Sequence, residues 1–336
     1  MALKYSESVG AASIFAALAQ PATALLLFFG ICSMAMAQYP LKPVRIIVGF
    51  PPGGGIDIIS RTLADRLAAS WGQAVVVDNR PGASGIIAAE QLARAAPDGY
   101  TLMVTPSTVL TFAPALYEKL PVDVARDFAP ISQLAGSEVA YVVSAALPAN
   151  TLQEFVALAR QKPGAIAYAA TGNAGLPYVA SLIVNQRTGM NLNFVSYKGA
   201  PQALNDLLGG SVHLFIDTLP GVLGQVKSGK LKVLAVLGQK RASALPNVPT
   251  IAEAGVPDAT GQSWNAMLGR ANTSADIIRK INIDVVAALR RPEVIERLAG
   301  VGFDTIGSSP EELAAVMKSD LAKWGKVIRE NNIKAE

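Results

Sequence analysis

From Pro43 onward the chain alternates short β-branched runs with longer segments of helical period, and this alternation commits it to parallel sheets covered by helices. Val44 to Phe50 (VRIIVGF) is almost wholly apolar, as a strand buried on both faces must be. A glycine-rich turn follows, and then Ile58, Ile59, Leu63 and Leu67 recur at helical spacing until Trp71-Gly72 ends the segment. The unit repeats as strand 74–77, helix 84–95 and strand 101–105. Across 130–144 two apolar runs meet at Gly136-Ser137-Glu138 with no helix between them, which marks a crossing into a second lobe. There the pattern predicts helices at 152–161, 179–187, 200–208 and 222–227, and strands at 166–170, 193–197, 212–216 and 231–237. The Pro-rich stretch 245–249 and residues 255–264 read as the return connection. The remainder reads as helical, at 275–290, 293–298 and 310–331, and is expected to pack back on lobe one. The fold class is therefore α/β, two lobes, each a mostly parallel sheet flanked by helices with a ligand cleft between them. Lobe one is assigned to 38–137 plus 263–336 and lobe two to 138–262.

The first 37 residues read differently. Lys4, the apolar run Pro21 to Ile31 and the small residues ending Ala35-Met36-Ala37 have the order of a secretory signal peptide, with cleavage expected after Ala37. Ile31 before Cys32 argues against a lipoprotein site, where a small residue is needed. Removing this segment leaves about 300 residues, more than one hydrophobic core organises. Hydrophobic residues make up 51% of the chain and charged ones 16%, a globular balance. The net charge of +4 is spread over single Lys and Arg residues, so nucleic acid is not an expected partner.

Phe50-Pro51-Pro52-Gly53-Gly54-Gly55-Ile56-Asp57 joins the first strand to a helix, and open α/β sheets bind ligands where such loops leave the strand ends. Glycines let peptide N–H groups approach a ligand at a helix N-terminus that carries about +0.5 charge, a socket suited to an anion. Asp57, counted with this loop, reads better as a helix cap than as a contact to an anionic ligand. The loop lacks the Lys-Ser/Thr ending of a nucleotide P-loop and the spaced glycines of a dinucleotide fingerprint. Lobe two repeats the device in Tyr168 to Gly175, where Thr171 and Asn173 add side-chain donors around Gly172. A further turn, Lys198-Gly199-Ala200, opens the next helix; Lys198 reads equally as a ligand charge or as a solvated lysine. Ser107 and Thr108, after the third strand, are candidate hydroxyl donors.

Enzymatic readings find little support. With the first 37 residues removed no cysteine remains, and the single histidine, His213, lies inside a strand. Cysteine nucleophiles and His/Cys metal clusters are thereby excluded, and no cofactor or metal is expected. No G-x-S-x-G elbow occurs, and the P-loop-like run Gly224 to Lys230 is followed by Leu231 where Ser or Thr is required. A periplasmic hydrolase is kept only as a remote alternative.

Several long stretches carry a resemblance: YPLKPVRIIVGFPPGGGID, VVVDNRPGASG, APDGYTL, VSYKGAPQALNDLLGG, ALPNVPTIAEAG and LAKWGKVIRENNIKAE. In these the chain resembles the Bug solute receptors of tripartite tricarboxylate transporters over essentially its whole mature length. The resemblance implies a type II periplasmic-binding-protein fold that closes on a small organic acid and delivers it to membrane permease subunits. A monomer is expected. It also implies ligand contacts from Phe50, Pro51, Gly53, Gly54 and Gly55, and from Thr171, Gly172, Asn173, Lys198, Gly199 and Asp217. Three departures stand out. Ile56 replaces a common Thr, Ala174-Gly175 with Tyr178 replace a common Gly-Ser and His, and Gly269 to Ser274 replace APAGTP. Fewer polar anchors and an aromatic face from Tyr178 point to a ligand more apolar than a citrate-like acid. The alternative use of the same fold is a sensing receptor that feeds a two-component system.

Overall fold

Strand β1, Val44–Val48, is the centre from which lobe one grows. The structure is a computed structural model and describes Met1 and residues 39–334. The signal peptide expected at 1–37, Cys32 included, lies outside the described residues. β1 lies parallel to β2 (Val75–Asn79) and to β3 (Thr101–Pro106), which leaves Ile46, Ile47 and Val48 without solvent exposure. The helix between β1 and β2, α1 (Gly55–Trp71), ends where Gly72 takes the left-handed conformation its missing Cβ permits. It buries Ile59, Leu63 and Leu67, spaced four apart on one face. α2 (Ile86–Ala93) follows β2, as a shorter helix than the sequence suggests because Ala83–Gly85 forms a separate tight turn.

Beyond β3 the chain makes one π-helical turn, Thr108–Phe112, and reaches β4 (Phe128–Ser137). A single residue, Glu138, separates β4 from β5 (Val139–Ser144), and the two strands belong to different sheets. The crossing falls where two apolar runs met in the sequence. Lobe two then runs through α3 (Leu152–Gln161), β6 (Ala167–Thr171), α4 (Leu176–Thr188), β7 (Asn193–Tyr197) and α5 (Ala200–Gly209). It continues with β8 (Leu214–Thr218), α6 (Leu219–Lys227) and β9 (Leu231–Val236). The chain returns as β10 (Ser263–Arg270) and closes with α7 (Ala275–Leu289), α8 (Pro292–Gly300), β11 (Phe303–Thr305) and α9 (Pro310–Glu330). A capping box between Ser309 and Glu312 starts α9, a device that contributes about 1 kcal/mol.

The sheet orders are β11-β4-β10-β3-β1-β2 and β7-β6-β8-β5-β9. Both sheets are mixed. The βα units pair in parallel, whereas β4, β5 and β10, which flank the crossings, pair antiparallel with their neighbours. Neither β10 nor β11 is among the strands the sequence predicts: β10 begins at the end of the expected return connection, and β11 lies between two expected helices.

Alternate residues of each lobe-two strand enter different cores, as a period of two requires. Tyr141, Tyr168 and Ile216 face one apolar cluster with α4, while Val142, Ala169 and Phe215 face the other with α5 and α6. Burying one such large side chain contributes about 1.5–3 kcal/mol. The end of α9 does not stay with lobe one. Trp324 and Ile328 enter the lobe-two cluster together with Phe112, whose ring lies 5.0 Å from that of Trp324. Among the described residues no helix is long and apolar enough to cross a membrane.

Candidate functional site

The glycine loop after β1 is held from below by one acid. Asp57, in the first turn of α1, accepts the Gly53 N–H at 3.0 Å and Arg61 Nε at 2.9 Å through Oδ2, and Asn79 Nδ2 at 2.9 Å through Oδ1. Asn79 also donates to the Phe50 carbonyl at 3.0 Å, so the start and the middle of the loop are tied to the same pair of side chains. Burial pushes the Asp57 carboxyl up, but the hydrogen bonds from Arg61, Gly53 and Asn79 outweigh it and hold the group below its usual range. Gly53 takes φ +83°, a conformation a β-carbon would strain. The result is a rigid loop that presents the first turn of a 17-residue helix, whose leading N–H groups have no partner within the helix.

Lobe two answers with the ends of three parallel strands. Thr171 closes β6, Gly199 and Ala200 open α5 after β7, and Asp217-Thr218 end β8 directly against α6. Asp217 is 8% exposed; its Oδ1 accepts the Thr218 N–H at 2.7 Å and its Oδ2 accepts the Thr171 hydroxyl at 3.3 Å.

The two sets of loops enclose a cavity of about 80 Å³ between the lobes. Lobe one lines it with Phe50, Pro51, Gly54, Gly55, Ile56 and Thr108, and lobe two with Thr171, Pro177, Gly199, Ala200, Pro201 and Asp217. Nine of the sequence candidates therefore meet at one place: Phe50, Pro51, Gly54, Gly55, Thr108, Thr171, Gly199, Ala200 and Asp217.

The other candidates lie elsewhere, each for a physical reason. Asp57 is spent in pinning the loop, and Gly53, whose N–H it accepts, is not among the residues that line the cavity. Ser107 is buried behind Thr108, with its carbonyl accepting the Thr111 hydroxyl at 2.9 Å. Lys198 is exposed and outside the lining. The Gly172 N–H donates to the Tyr197 carbonyl at 2.8 Å, so it serves the β6–β7 junction. Asn173 takes part in contacts between the lobes, where its Oδ1 accepts from Tyr117 at 2.7 Å and from Ser84 at 3.3 Å. Tyr178 needs the plainest correction. It is 1% exposed, packs its ring 5.0 Å from Phe194 and donates to the Lys334 carbonyl at 2.9 Å, so it offers no aromatic face to a ligand. Of the departures noted in the sequence, Ile56 is the one that reaches the cavity.

Sequence reasoning missed Pro106, Pro177, Pro201, Thr218, Ser263, Asn265 and Phe303, which complete the lining. Ser263 and Asn265 are on β10, and Phe303 opens β11. It also missed Ser84, held at φ +53° in a turn where Ala83 is at φ +46°, two non-glycine residues in left-handed conformations beside the opposite lobe. Clustered strain of this kind costs of order 1–3 kcal/mol per residue and is kept where the surroundings impose it. The one signal available was the run NRPGASG, whose two glycines mark a tight turn.

Two α/β lobes that meet over a small cavity, with strand-end loops from both sides lining it, define a binding protein of the periplasmic two-lobe type. The chain belongs to the tripartite tricarboxylate transporter receptor family, whose model matches residues 59–333. It is 34% identical to protein BugT of Bordetella pertussis over 297 residues, covering 88% of this chain and 91% of BugT. Among solved structures it is similar to Rpa4515 of R. palustris with adipate, at 32% identity and a TM-score of 0.85, over 88% of this chain and 99% of that one. It is also similar to the periplasmic binding protein BugD, at 29% identity and a TM-score of 0.84, over 89% of this chain and 100% of BugD. Members of the family are periplasmic substrate-binding receptors, not enzymes.

Proposed function

We propose that this chain captures a small organic carboxylate in the periplasm and passes it to the membrane permease subunits of a tripartite tricarboxylate transporter, acting as a monomer after removal of residues 1–37. The observation that carries this reading is the convergence of the Gly54-Gly55 helix start and the Gly199-Ala200 helix start on one interlobe cavity. Two helix N-termini aimed at one space favour an anion without needing a basic side chain. Adipate in the structure of a 32% identical relative supports an acid as the ligand. The lobes that move are 38–137 plus 263–336 and 138–262, joined at Glu138 and at residues 261–263. Closure brings the helix starts together, and opening releases the acid to the permease.

The test is a thermal-shift screen of the purified protein against mono-, di- and tricarboxylates, aliphatic and aromatic. A ligand that binds only the folded state raises the melting temperature. A shift with one class of acid supports the reading. No shift with any acid, after refolding to remove a co-purified ligand, sinks it.

A further inference from the structure

The ligand cavity has a counterpart across the hinge. A second and larger cavity, of about 700 Å³, is also lined by both lobes. Lobe one contributes Gln133, Trp264, Asp304 and Asp320, and lobe two contributes the loop 239–244 that follows β9. The chain that re-enters lobe one divides the two spaces. Gln262 and Trp264 line the large cavity, whereas Ser263 and Asn265 line the small one, as successive residues of an extended strand project to opposite faces. Both crossings between the lobes, Glu138 and Gly261-Gln262, border the large cavity, and Ser263 borders the small one, so the hinge runs between them. The lobes meet on the small side, where a β-carbon on Gly199 would come within 2.9 Å of the Pro51 ring. On the large side they stand apart. A rotation about the crossings that parts Pro51 from Gly199 therefore brings the walls of the large cavity together.

Resting on the carboxylate-receptor reading above, we propose that the large cavity is a counter-cleft that sets the balance between the open and the closed receptor: bulk placed in it obstructs opening and so raises affinity for the acid. The coupling needs no contact between that bulk and the ligand. An acid that binds only the closed arrangement has its apparent affinity reduced by the fraction of receptor that is closed, and whatever destabilises the open arrangement removes that reduction. The lobe-two wall offers a place to test this. Ser243 and Ala244 line the large cavity, are exposed, and belong to neither apolar cluster of lobe two, so a larger side chain at either position adds volume to the cavity without displacing a core residue. Neither residue lines the ligand cavity.

The experiment compares wild type with Ser243→Trp, Ala244→Trp and the double variant, by X-ray scattering without ligand and by calorimetric titration with adipate. The expected result is a smaller radius of gyration for the unliganded double variant than for unliganded wild type, and an adipate affinity raised about threefold or more. A radius equal to or larger than that of wild type overturns the inference, whatever adipate does. A smaller radius with unchanged or weaker adipate binding overturns it too, because closure would then be uncoupled from the site. Should adipate not bind wild type, the scattering comparison alone decides this inference, and the receptor reading stands or falls separately on the acid screen. Should the double variant not fold, the two single variants carry the same comparison.

Discussion

Tyr117, between β3 and β4, donates its phenolic hydrogen to Asn173 Oδ1 in the loop after β6, 2.7 Å away and on the other lobe. Ser84 donates to the same oxygen at 3.3 Å. One amide carbonyl thus receives two hydroxyls from segments that precede the β4–β5 crossing, and these bonds are expected to last only while the lobes stay together. Such a pair favours the closed arrangement whether or not a ligand contributes.

Removing one of these donors should therefore weaken ligand binding without weakening the lobes. A hydrogen bond of this kind contributes about 0.5–1.5 kcal/mol net, so Tyr117→Phe is expected to lower affinity by about two- to tenfold. Calorimetry gives the affinity, and the melting temperature of the unliganded variant should stay within about 2 °C of wild type. Equal affinity in the variant would mean that the contact does not differ between bound and free protein.

Two glycines separate the site from the closure surface. A β-carbon on Gly54 would find nothing nearer than the Pro51 carbonyl oxygen at 3.8 Å, so Gly54→Val should fold normally while placing a branched side chain beside the cavity. Acid-induced thermal shifts should vanish. A β-carbon on Gly172 would sit 2.3 Å from Ser84 Oγ across the lobes, at φ +77°. Gly172→Val should hold the lobes apart, seen as a larger radius of gyration by X-ray scattering in the presence of ligand.

Asp57, buried in the first turn of α1, should matter to stability through the loop it holds. Asp57→Ala leaves the Gly53 N–H and Asn79 without their acceptor, which costs about 1–3 kcal/mol in chemical denaturation. The pH dependence has a definite sign. Because the folded carboxyl sits below its ordinary value of 3.8, its stabilisation is present above that pH and is lost as pH falls through the lower folded value. The difference between wild type and Asp57→Asn should therefore shrink below about pH 4.

Glu138 should show the opposite behaviour. Burial first, and then the charge of Asp304 on β11, raise it to about 7 from an ordinary 4.5, while Oε2 is buried with no hydrogen-bond partner among the described residues. A folded value above the unfolded one means the native state holds the extra proton, so stability falls as pH rises from about 4.5 to about 7. Glu138→Gln carries no such cost. Its melting temperature should exceed that of wild type at pH 8 by about 2–4 °C, and the two should converge near pH 4.

Much of the architecture was written in local sequence. The apolar run at Val44 needs no distant partner to be read as a buried strand, and Gly72 ends its helix, as expected, in the left-handed conformation that Gly189 and Gly210 also adopt at theirs. Gly136-Ser137-Glu138 marked the crossing because two strand-like runs had no room for a helix between them, and the structure narrows it to Glu138. β10 was not readable in the same way. SWNAMLGR follows a Pro-rich stretch and becomes a strand only by pairing with β3 and β4, both more than a hundred residues earlier. The site divides along the same line. Phe50, Pro51, Gly54, Gly55, Thr108, Thr171, Gly199 and Ala200 were legible from their own segments and Asp217 through the resemblance, whereas Ser263, Asn265 and Phe303 arrive on strands that distant pairing creates. Tyr178 misled for a related reason: the face of α4 that meets solvent is decided by Phe194 and Lys334, not by the helix itself.

The packing of the chain's last turns has a practical side. α9 lies against β4 of lobe one, yet Trp324 shares a core with Tyr168 and Val179, and the Lys334 carbonyl takes the Tyr178 hydroxyl. This segment works as a strap buckled to both halves. A fluorescent reporter fused after Glu336 would therefore be mounted on the strap rather than on either half, and would register how far the buckle slips when cargo is loaded. A reporter inserted instead at the exposed turn around Gly164, whose β-carbon position is open space, would ride on lobe two alone. The pair would make a distance gauge for the machine in operation.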